Sequence, residues 1–319
     1  MGGGKSRAVT ARTPSPALPL FSRKKGEGDR RSARDLDRRA TFWLIYVPPL
    51  FWLTAFLVLP VLLMAAFSFR PDMRGELFQP WTPTLDQYAS VAATGSYWRL
   101  LEISTLTALG IAVIAVLLAY PLAYFLAFHA GPRAGFYLIL LLIPFWTSYL
   151  LRIMAWKILL GTEGVLNSFL IYAGLIQEPL TALLYNRTAV IVTLIYVWIP
   201  FAALPILAAL QRIDLVLFEA AADLGARPSH QFIRITLPLS APGVLAAFFM
   251  VFIPTVGEYV TPLLVGGSRG FLYGNIIQDF FTKAANWPLG SALSVIMLAA
   301  TLILVVLATR LVNWRQLFE

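Results

Sequence analysis

Ionisable side chains are sparse in the apolar part of this 319-residue sequence, and five of them lie in one polar segment. Residues 218–243, FEAAADLGARPSHQFIRITLPLSAPG, form this polar island between two long apolar stretches. Its ionisable residues are Glu219, Asp223, Arg227, His230 and Arg234. Charged groups are expensive to place in hydrocarbon, so this island must lie in water. The chemistry that it offers is charged contact with a soluble partner.

Three further ionisable residues, Glu258, Glu102 and Arg152, lie within or at the ends of apolar stretches. Such groups cost at least a few kcal/mol unless they are paired or hydrated, which makes them functional candidates. In one interpretation Glu258, helped by Glu102, attracts a cationic amine along a translocation path. In the other, a Glu258–Arg152 or Glu102–Arg99 ion pair holds helices together. The sequence leaves both open.

Aromatic rings near these charges offer a second way to hold a cation. Tyr259, Trp146 and Trp156 could each present a ring face to an ammonium group. Rings at such positions are also typical of the bundle core or of the headgroup region.

Catalytic and nucleotide-binding motifs are missing from the sequence. It has no cysteine and two histidines on different segments, which disfavours disulfides, thiol chemistry and a histidine zinc site. It also contains no G-x-x-x-x-G-K-[ST], H-E-x-x-H or G-x-S-x-G pattern. We therefore expect a non-enzyme that binds no cofactor or metal of its own, with any ATP hydrolysed by a partner subunit.

The elements that must position these residues are membrane-spanning helices. The chain is 59% hydrophobic and 13% charged, whereas soluble domains carry roughly 25% charged residues. Six stretches of at least 18 residues lack Asp, Glu, Lys and Arg: 40–69, 103–132, 134–151, 188–211, 235–257 and 284–309. About 20 apolar residues cross a bilayer as a helix. The sequence thus predicts an all-α, polytopic membrane protein with about six spans.

The positions of the spans follow from these stretches. The first begins near Phe42, and the others run over about 99–128, 135–151, 188–210, 242–264 and 288–312. Prolines 121, 144, 200 and 205 fall inside them and predict local bends. Between the third and fourth spans, residues 164–175 predict an amphipathic helix along one rim.

Basic residues set the expected orientation. Residues 1–41 carry eleven Lys or Arg against four acids and predict a disordered cytoplasmic tail. With both termini inside, 17 basic residues lie on the cytoplasmic side and seven outside, Arg152 being left out. The predicted organisation is tail 1–41, transmembrane domain 42–313 with a cytoplasmic loop 213–240, and tail 314–319. This charge pattern favours a lipid bilayer, and not nucleic acid, as the partner.

The loop 213–240 has its own local signals. Asp214 can cap a short helix from Leu215 to Leu224, and Gly225 supplies a left-handed stop. Pro228 suits the first turn of a second short helix, after which Leu237 and Pro238 return the chain to the membrane. Leu217, Ala221 and Leu224 share one face of the first helix.

The same loop resembles the cytoplasmic motif of binding-protein-dependent ABC transporter permeases. The resemblance rests on Glu219, Ala220 and Ala221, then Gly225 four residues later, then Ile235, Leu237 and Pro238. It implies an ABC importer permease of the methionine-permease-like type. It further implies that the loop, Asp223 included, docks on a cytoplasmic ATPase subunit, with Glu219 as a contact and Gly225 as the turn.

Partners and location follow from the resemblance, not from composition. It implies two cytoplasmic ATPase subunits, a second permease subunit that is identical or different, and a periplasmic or lipid-anchored solute-binding protein. The chain would lie in a bacterial inner membrane, with both termini cytoplasmic.

Longer segments resemble the spermidine/putrescine branch of that superfamily, in its B-type permease subunit. They are PFWTSYLLRIMAWKILLGTEGVLNSFL (144–170), GEYVTPLLVGG (257–267) and NWPLGSA (286–292). The resemblance extends over most of residues 43–313 and implies transport of a polyamine.

Two other functional classes remain as alternatives. An ion-gradient-driven secondary transporter of a small cation predicts inverted internal repeats, and no convincing repeat is visible. A membrane enzyme with Glu258 as general base needs an acid or metal partner, and none is visible.

Overall fold

The computed structural model describes residues 42–71 and 82–311, and these ranges contain helices and no β-strand. The predicted tails, 1–41 and 314–319, lie outside the described residues. The described residues up to Leu62 and those from Leu63 onward belong to two separate units. The all-α prediction is confirmed.

The described helices are numbered in chain order. They are α1 (Phe42–Phe67), α2 (Asp86–Ala93), α3 (Gly95–Phe128), α4 (Ala134–Trp146), α5 (Tyr149–Leu160), α6 (Val165–Tyr172), α7 (Arg187–Leu210), α8 (Val216–Asp223), α9 (Pro228–Val256), α10 (Tyr273–Thr282) and α11 (Trp287–Leu311). Among them α1, α3, α7, α9 and α11 are each long and apolar enough to cross a membrane. The segments Gly131–Trp146, which contains α4, and Tyr149–Tyr172, which contains α5, form a bent pair. If this pair is counted as one span, the described residues contain six candidate spans.

Helices α3, α7 and α9 pack together as the core of the second unit. On α3 the contact face is a stripe of fully buried small residues at helical spacing: Ala108, Ala112, Ala115, Ala119 and Ala123. Small side chains let membrane helices approach closely, where van der Waals packing replaces the hydrophobic effect. Gly243 of α9 lies directly against α7, where an added Cβ would lie 2.6 Å from the carbonyl oxygen of Pro205.

The third predicted span is interrupted, in contrast to the continuous helix expected over 135–151. Helix α4 ends at Trp146, and the chain turns by 87° before α5 begins at Tyr149. Thr147 adopts an extended backbone and donates its hydroxyl to the carbonyl oxygen of Pro144 at 2.6 Å. This local hydrogen bond competes with continuation of the helix. Pro144 itself lies inside α4.

The fifth predicted span begins earlier and ends earlier than expected. The helix that starts at Pro228 does not stop in the loop but continues to Val256, whereas we expected a span over 242–264. A single π-type turn at Phe232–Thr236 precedes Pro238. Such a wider turn is one way for a helix to accommodate local disruption of its hydrogen-bond ladder. The second half of the predicted loop is therefore the first part of the long helix α9.

A second, smaller apolar cluster lies at the other end of the bundle from α8. Val91 of α2, Leu101 of α3, Tyr273 of α10 and Leu293 of α11 are its buried members. The predicted rim helix over 164–175 is present as α6. The side chain of its buried Asn167 donates to the carbonyl oxygens of Gly161 and Leu180 and accepts the backbone N–H of Leu180. These hydrogen bonds fix α6 against the following loop.

Candidate functional site

The polar island begins with a capped helix. The Oδ1 atom of Asp214 accepts the backbone N–H of Val216 at 3.0 Å. Unpaired N–H groups of a first turn are stabilised by such a carboxylate. Helix α8 then runs from Val216 to Asp223, which confirms the helix predicted over 215–224 to within a residue at each end.

The predicted stop at Gly225 is also confirmed. Gly225 has a φ of +77°, in the left-handed region that favours glycine. Its N–H donates to the carbonyl of Ala222 at 2.8 Å, and that of Ala226 donates to Ala221 at 2.9 Å. These two bonds form a Schellman motif, which satisfies the last carbonyls of α8 and reverses the chain.

Helix α8 presents most of its residues to the surface of this subunit. Glu219, Ala220 and Asp223 are exposed, and Ala221 is half-buried. Leu217 and Leu224, which were predicted to lie on one face of this helix, are 45% and 89% exposed. An exposed apolar stripe beside two carboxylates is a surface that a protein partner could cover.

Aromatic contacts attach α8 to the spans. The ring of Phe218 lies edge-on to Phe128 at the end of α3, with centroids 5.5 Å apart. Phe232, at the start of α9, packs against Tyr120 and Tyr124 of α3 at 5.9 and 5.8 Å. A displacement of α8 would therefore act on α3 and α9 together.

The remaining residues of the sequence motif lie on the first turns of α9. Ile235 is half-buried against the core, while Leu237 and Pro238 are exposed. Close by, a groove of about 470 Å³ is bordered by Arg227, His230 and Arg234. The loop thus presents acids on α8 and a basic groove at the start of α9.

Glu258 lies just after α9, which corrects its expected position inside the fifth span. Its Oε1 accepts the backbone N–H groups of Val260 and Thr261, each at 2.9 Å. The half-buried carboxylate thereby caps the single turn Pro262–Gly266 that follows. Glu258 therefore has a structural role in capping this turn, and its other carboxylate oxygen, Oε2, takes no part in the cap.

Tyr149 connects Glu258 to Arg152. The Tyr149 hydroxyl lies 2.9 Å from that of Thr261 and interacts electrostatically with both Glu258 and Arg152. Arg152 is 9% exposed, and its Cζ lies 5.8 Å from the ring centroids of Phe145 and Tyr149. Across the described ranges, neither a Glu258–Arg152 nor a Glu102–Arg99 ion pair forms.

The other predicted path residues are dispersed around this group. Trp146, the last residue of α4, is 76% exposed, and Tyr259 is 42% exposed beside Glu258. Glu102 is exposed on α3, and no contact within the described residues joins it to Glu258. Trp156 packs instead against Tyr196 of α7, with centroids 5.4 Å apart.

Several residues of the site were not found by the sequence reasoning. The aromatic anchors Phe218 and Phe232 lie just before Glu219 and just after His230, and their positions on either side of most of the island's charges were the available signal. Tyr149 and Thr261 are distant in sequence, so only packing brings them together. In the part of the chain that is described, no group of three or more His, Asp or Glu could hold a metal ion.

Comparison with known proteins gives one family match and close relatives. The model of the family "Binding-protein-dependent transport system inner membrane component" matches residues 37–319. The chain is 37% identical over 266 residues to the spermidine/putrescine transport system permease protein PotB of Escherichia coli K12, which covers 83% of this chain and 93% of the relative. The protein of the same name from Haemophilus influenzae is 35% identical over 269 residues, covering 82% and 92%.

A solved structure has the same fold. A bacterial ABC transporter involved in the import of the acidic polysaccharide alginate contains a chain that superposes with a TM-score of 0.67 at 18% identity. The superposition covers 88% of this chain and 98% of that one. At this identity the likeness concerns the fold alone.

Proposed function

Since the chain belongs to the family of binding-protein-dependent transport system inner membrane components, we propose that it is a pore-forming permease subunit of an ABC importer for a polyamine such as spermidine or putrescine. The observation that carries the solute class is the 35–37% identity to two spermidine/putrescine permeases over more than four fifths of the chain. The conclusion that the chain is a membrane transport subunit rests on the family and on the apolar helices.

The rest of the assembly forms part of the proposal. Two cytoplasmic ATPase subunits hydrolyse ATP, a second permease, identical or different, completes the pore, and a periplasmic or lipid-anchored binding protein delivers the solute. The bacterial inner membrane is the location, with loop 213–240 and the tails 1–41 and 314–319 in the cytoplasm. The excess of basic residues on that side supports this orientation.

Loop 213–240 is the proposed coupling loop, which passes ATPase closure to the spans. Its exposed Glu219, Ala220 and Asp223 are suited to contact an ATPase subunit. The Phe218–Phe128 contact, together with continuity from Gly225 into α9, would transmit the displacement to α3 and α9. Because packed helices move as rigid bodies, a shift at α8 would alternate access between the two sides.

The solute path is proposed to pass the two interruptions of the spans. Glu258 and Tyr259 follow α9, and Trp146 precedes the break between α4 and α5. A carboxylate and exposed rings are the groups that attract ammonium ions. Glu102, exposed on α3, is the second carboxylate that we assign to this path.

The test is ATP-driven uptake by proteoliposomes that hold the whole assembly. We expect uptake of radiolabelled putrescine or spermidine by the wild type, and loss of uptake in Glu219→Arg. Gln211→Arg, which adds a positive charge at an exposed position before α8, is the matched control and should transport normally. Normal uptake by Glu219→Arg would exclude the coupling role, and no polyamine uptake by the wild type would exclude the solute class.

The alternative function, an ion-gradient-driven transporter, is separated by the same vesicles. Uptake by the purified chain with an imposed proton or sodium gradient, without ATPase subunits, would establish it. ATP dependence together with binding-protein dependence would exclude it.

A further inference from the structure

A cleft of about 590 Å³ lies beside the break between α4 and α5, away from the residues assigned to coupling. Its wall is largely apolar and includes Pro144, Leu151, Ala155 and Leu159. Trp156 and Tyr196 form its aromatic side. A pure hydrocarbon surface would need no explanation in a membrane protein, but this cleft also contains a charge.

That charge is the guanidinium of Arg152, which lines the cleft. Arg152 is 9% exposed, and its Nε has no hydrogen-bond partner among the described residues. Its described contacts are the rings of Phe145 and Tyr149. Glu258 acts on the same Tyr149 hydroxyl, but its Oε1 is engaged by two backbone N–H groups and it forms no ion pair with Arg152. A buried guanidinium that has no ion-pair partner among the described residues would be stabilised by a bound anion.

The depth of the cleft in the bilayer indicates that a lipid headgroup could supply this anion. The residues Gly131–Trp146 rise about 24 Å as a helix, and the hydrocarbon is about 30 Å thick. They start next to the end of α3, where Phe128 meets α8, so the break lies towards the opposite boundary of the bilayer. Helix α5 then turns by 87°. The long side chain of Arg152 can therefore reach the level of lipid headgroups.

The other wall of the cleft reaches deeper into the membrane. Tyr196 is nine residues inside α7, about 14 Å from the first residue of that helix. The cleft thus joins a cation near the headgroup level to an apolar wall within the hydrocarbon. Trp156, between the two, is of the residue type enriched at that interface.

We propose that this cleft binds a membrane phospholipid, with the phosphodiester paired to Arg152 and an acyl chain extending from it along the apolar wall towards Tyr196. Guanidinium and phosphate are matched in charge and in hydrogen-bond geometry. Inside the cleft a buried guanidinium repels a second cation, and Glu258, Tyr259 and Trp146, which we assign to the solute path, do not line it. The site does not depend on which solute the assembly carries.

The experiment uses the complete transporter, stripped of lipid in mild detergent and titrated with phosphatidylglycerol under native mass spectrometry. We expect the wild type to bind the added lipid and Arg152→Gln to bind it about tenfold more weakly, the loss typical of one charged hydrogen bond. Arg152→Lys should keep most of the affinity. Lys157→Gln removes a positive charge five residues later on α5, against Tyr185 rather than in the cleft, and should bind as the wild type does.

The proposal is overturned if Arg152→Gln and the wild type bind phosphatidylglycerol equally, or if Lys157→Gln loses as much affinity as Arg152→Gln. It is also overturned if the wild type binds none, since a carboxylate of the second permease would then be the partner of Arg152. If Arg152→Gln does not assemble, the site can be tested in the wild type alone by crosslinking it to a photoreactive phosphatidylglycerol and mapping the labelled residues. Labelling within residues 151–159 supports the site, and labelling confined to other segments contradicts it. Polyamine uptake tests the proposed transport function and not this lipid site, so the two can fail independently.

Discussion

The hydroxyl oxygens of Tyr149 and Thr261 lie 2.9 Å apart, which places two interrupted parts of the chain in direct contact. Tyr149 is the first residue of α5, just after the break in the third span, and Thr261 follows the end of α9. Thr261 is fully buried, and its backbone N–H is already held by Glu258. One hydrogen bond therefore joins the regions that we assign to the solute path.

We expect Tyr149→Phe and Thr261→Val each to lower the free energy of unfolding by about 1 kcal/mol, the usual contribution of one internal hydrogen bond. Because the two hydroxyls are partners, the double variant should lose little more than either single one. Thermal unfolding of the purified assembly in detergent measures this. Fully additive losses would mean that the two hydroxyls act independently.

Glu258 can be tested for its two roles separately. Glu258→Gln keeps an oxygen that accepts from the N–H of Thr261 but removes the charge, whereas Glu258→Ala removes both. If the carboxylate attracts a cation, Gln should raise the KM for uptake by about tenfold while leaving the melting temperature unchanged. Ala should lower the melting temperature as well. Unchanged uptake kinetics in the Gln variant would leave Glu258 with the capping role alone.

Gly225 should tolerate some residues and reject others for a backbone reason. With a φ of +77° and no atom within 4 Å of an added Cβ, the position excludes side chains by conformation and not by space. A left-handed conformation costs roughly 1–2 kcal/mol for most residues and less for Asn. We expect Gly225→Val to reduce uptake per ATP hydrolysed and Gly225→Asn to stay near the wild type. Equal uptake ratios for Val and the wild type would contradict the need for this turn.

Close packing of α7 on α9 predicts a strong effect at Gly243. An added Cβ would collide with the Cβ of Ala209 and lie 2.6 Å from the carbonyl oxygen of Pro205, so the helices must separate. Gly243→Ala should therefore cost about 1–3 kcal/mol, as overpacking does. Gly110→Ala on α3 has open space around its Cβ and serves as the control. A melting temperature for Gly243→Ala equal to that of the control would show that the interface yields.

Much of the fold could be predicted because membrane insertion depends on local composition. Charge-free stretches located the spans, since an exposed backbone in hydrocarbon has no alternative to a helix. The cap at Asp214 and the turn at Gly225 were also predictable, as both depend on residues within a few positions. The roles of Glu219 and its neighbours in coupling stay predictions.

The interruptions could not be located in the same way. Proline 144 indicated a bend, but the chain turns three residues later, at Thr147, where a hydroxyl competes for a helix carbonyl. The start of α9 was missed because Pro228 and Pro238 suggested two separate elements, whereas one turn of wider helix joins them. Both outcomes depend on which backbone groups find partners in the packed bundle.

The sequence alone indicated that this chain crosses a membrane and approximately which stretches form the spans, because both follow from the hydration of successive side chains. Only the tertiary structure decided what the buried charges contact. It gave Glu258 a turn to cap, left Arg152 without an ion-pair partner among the described residues, and placed Tyr149 against Thr261 from 112 positions away. Electrostatic energy depends on distance in space, and distance in space between remote segments is set by packing.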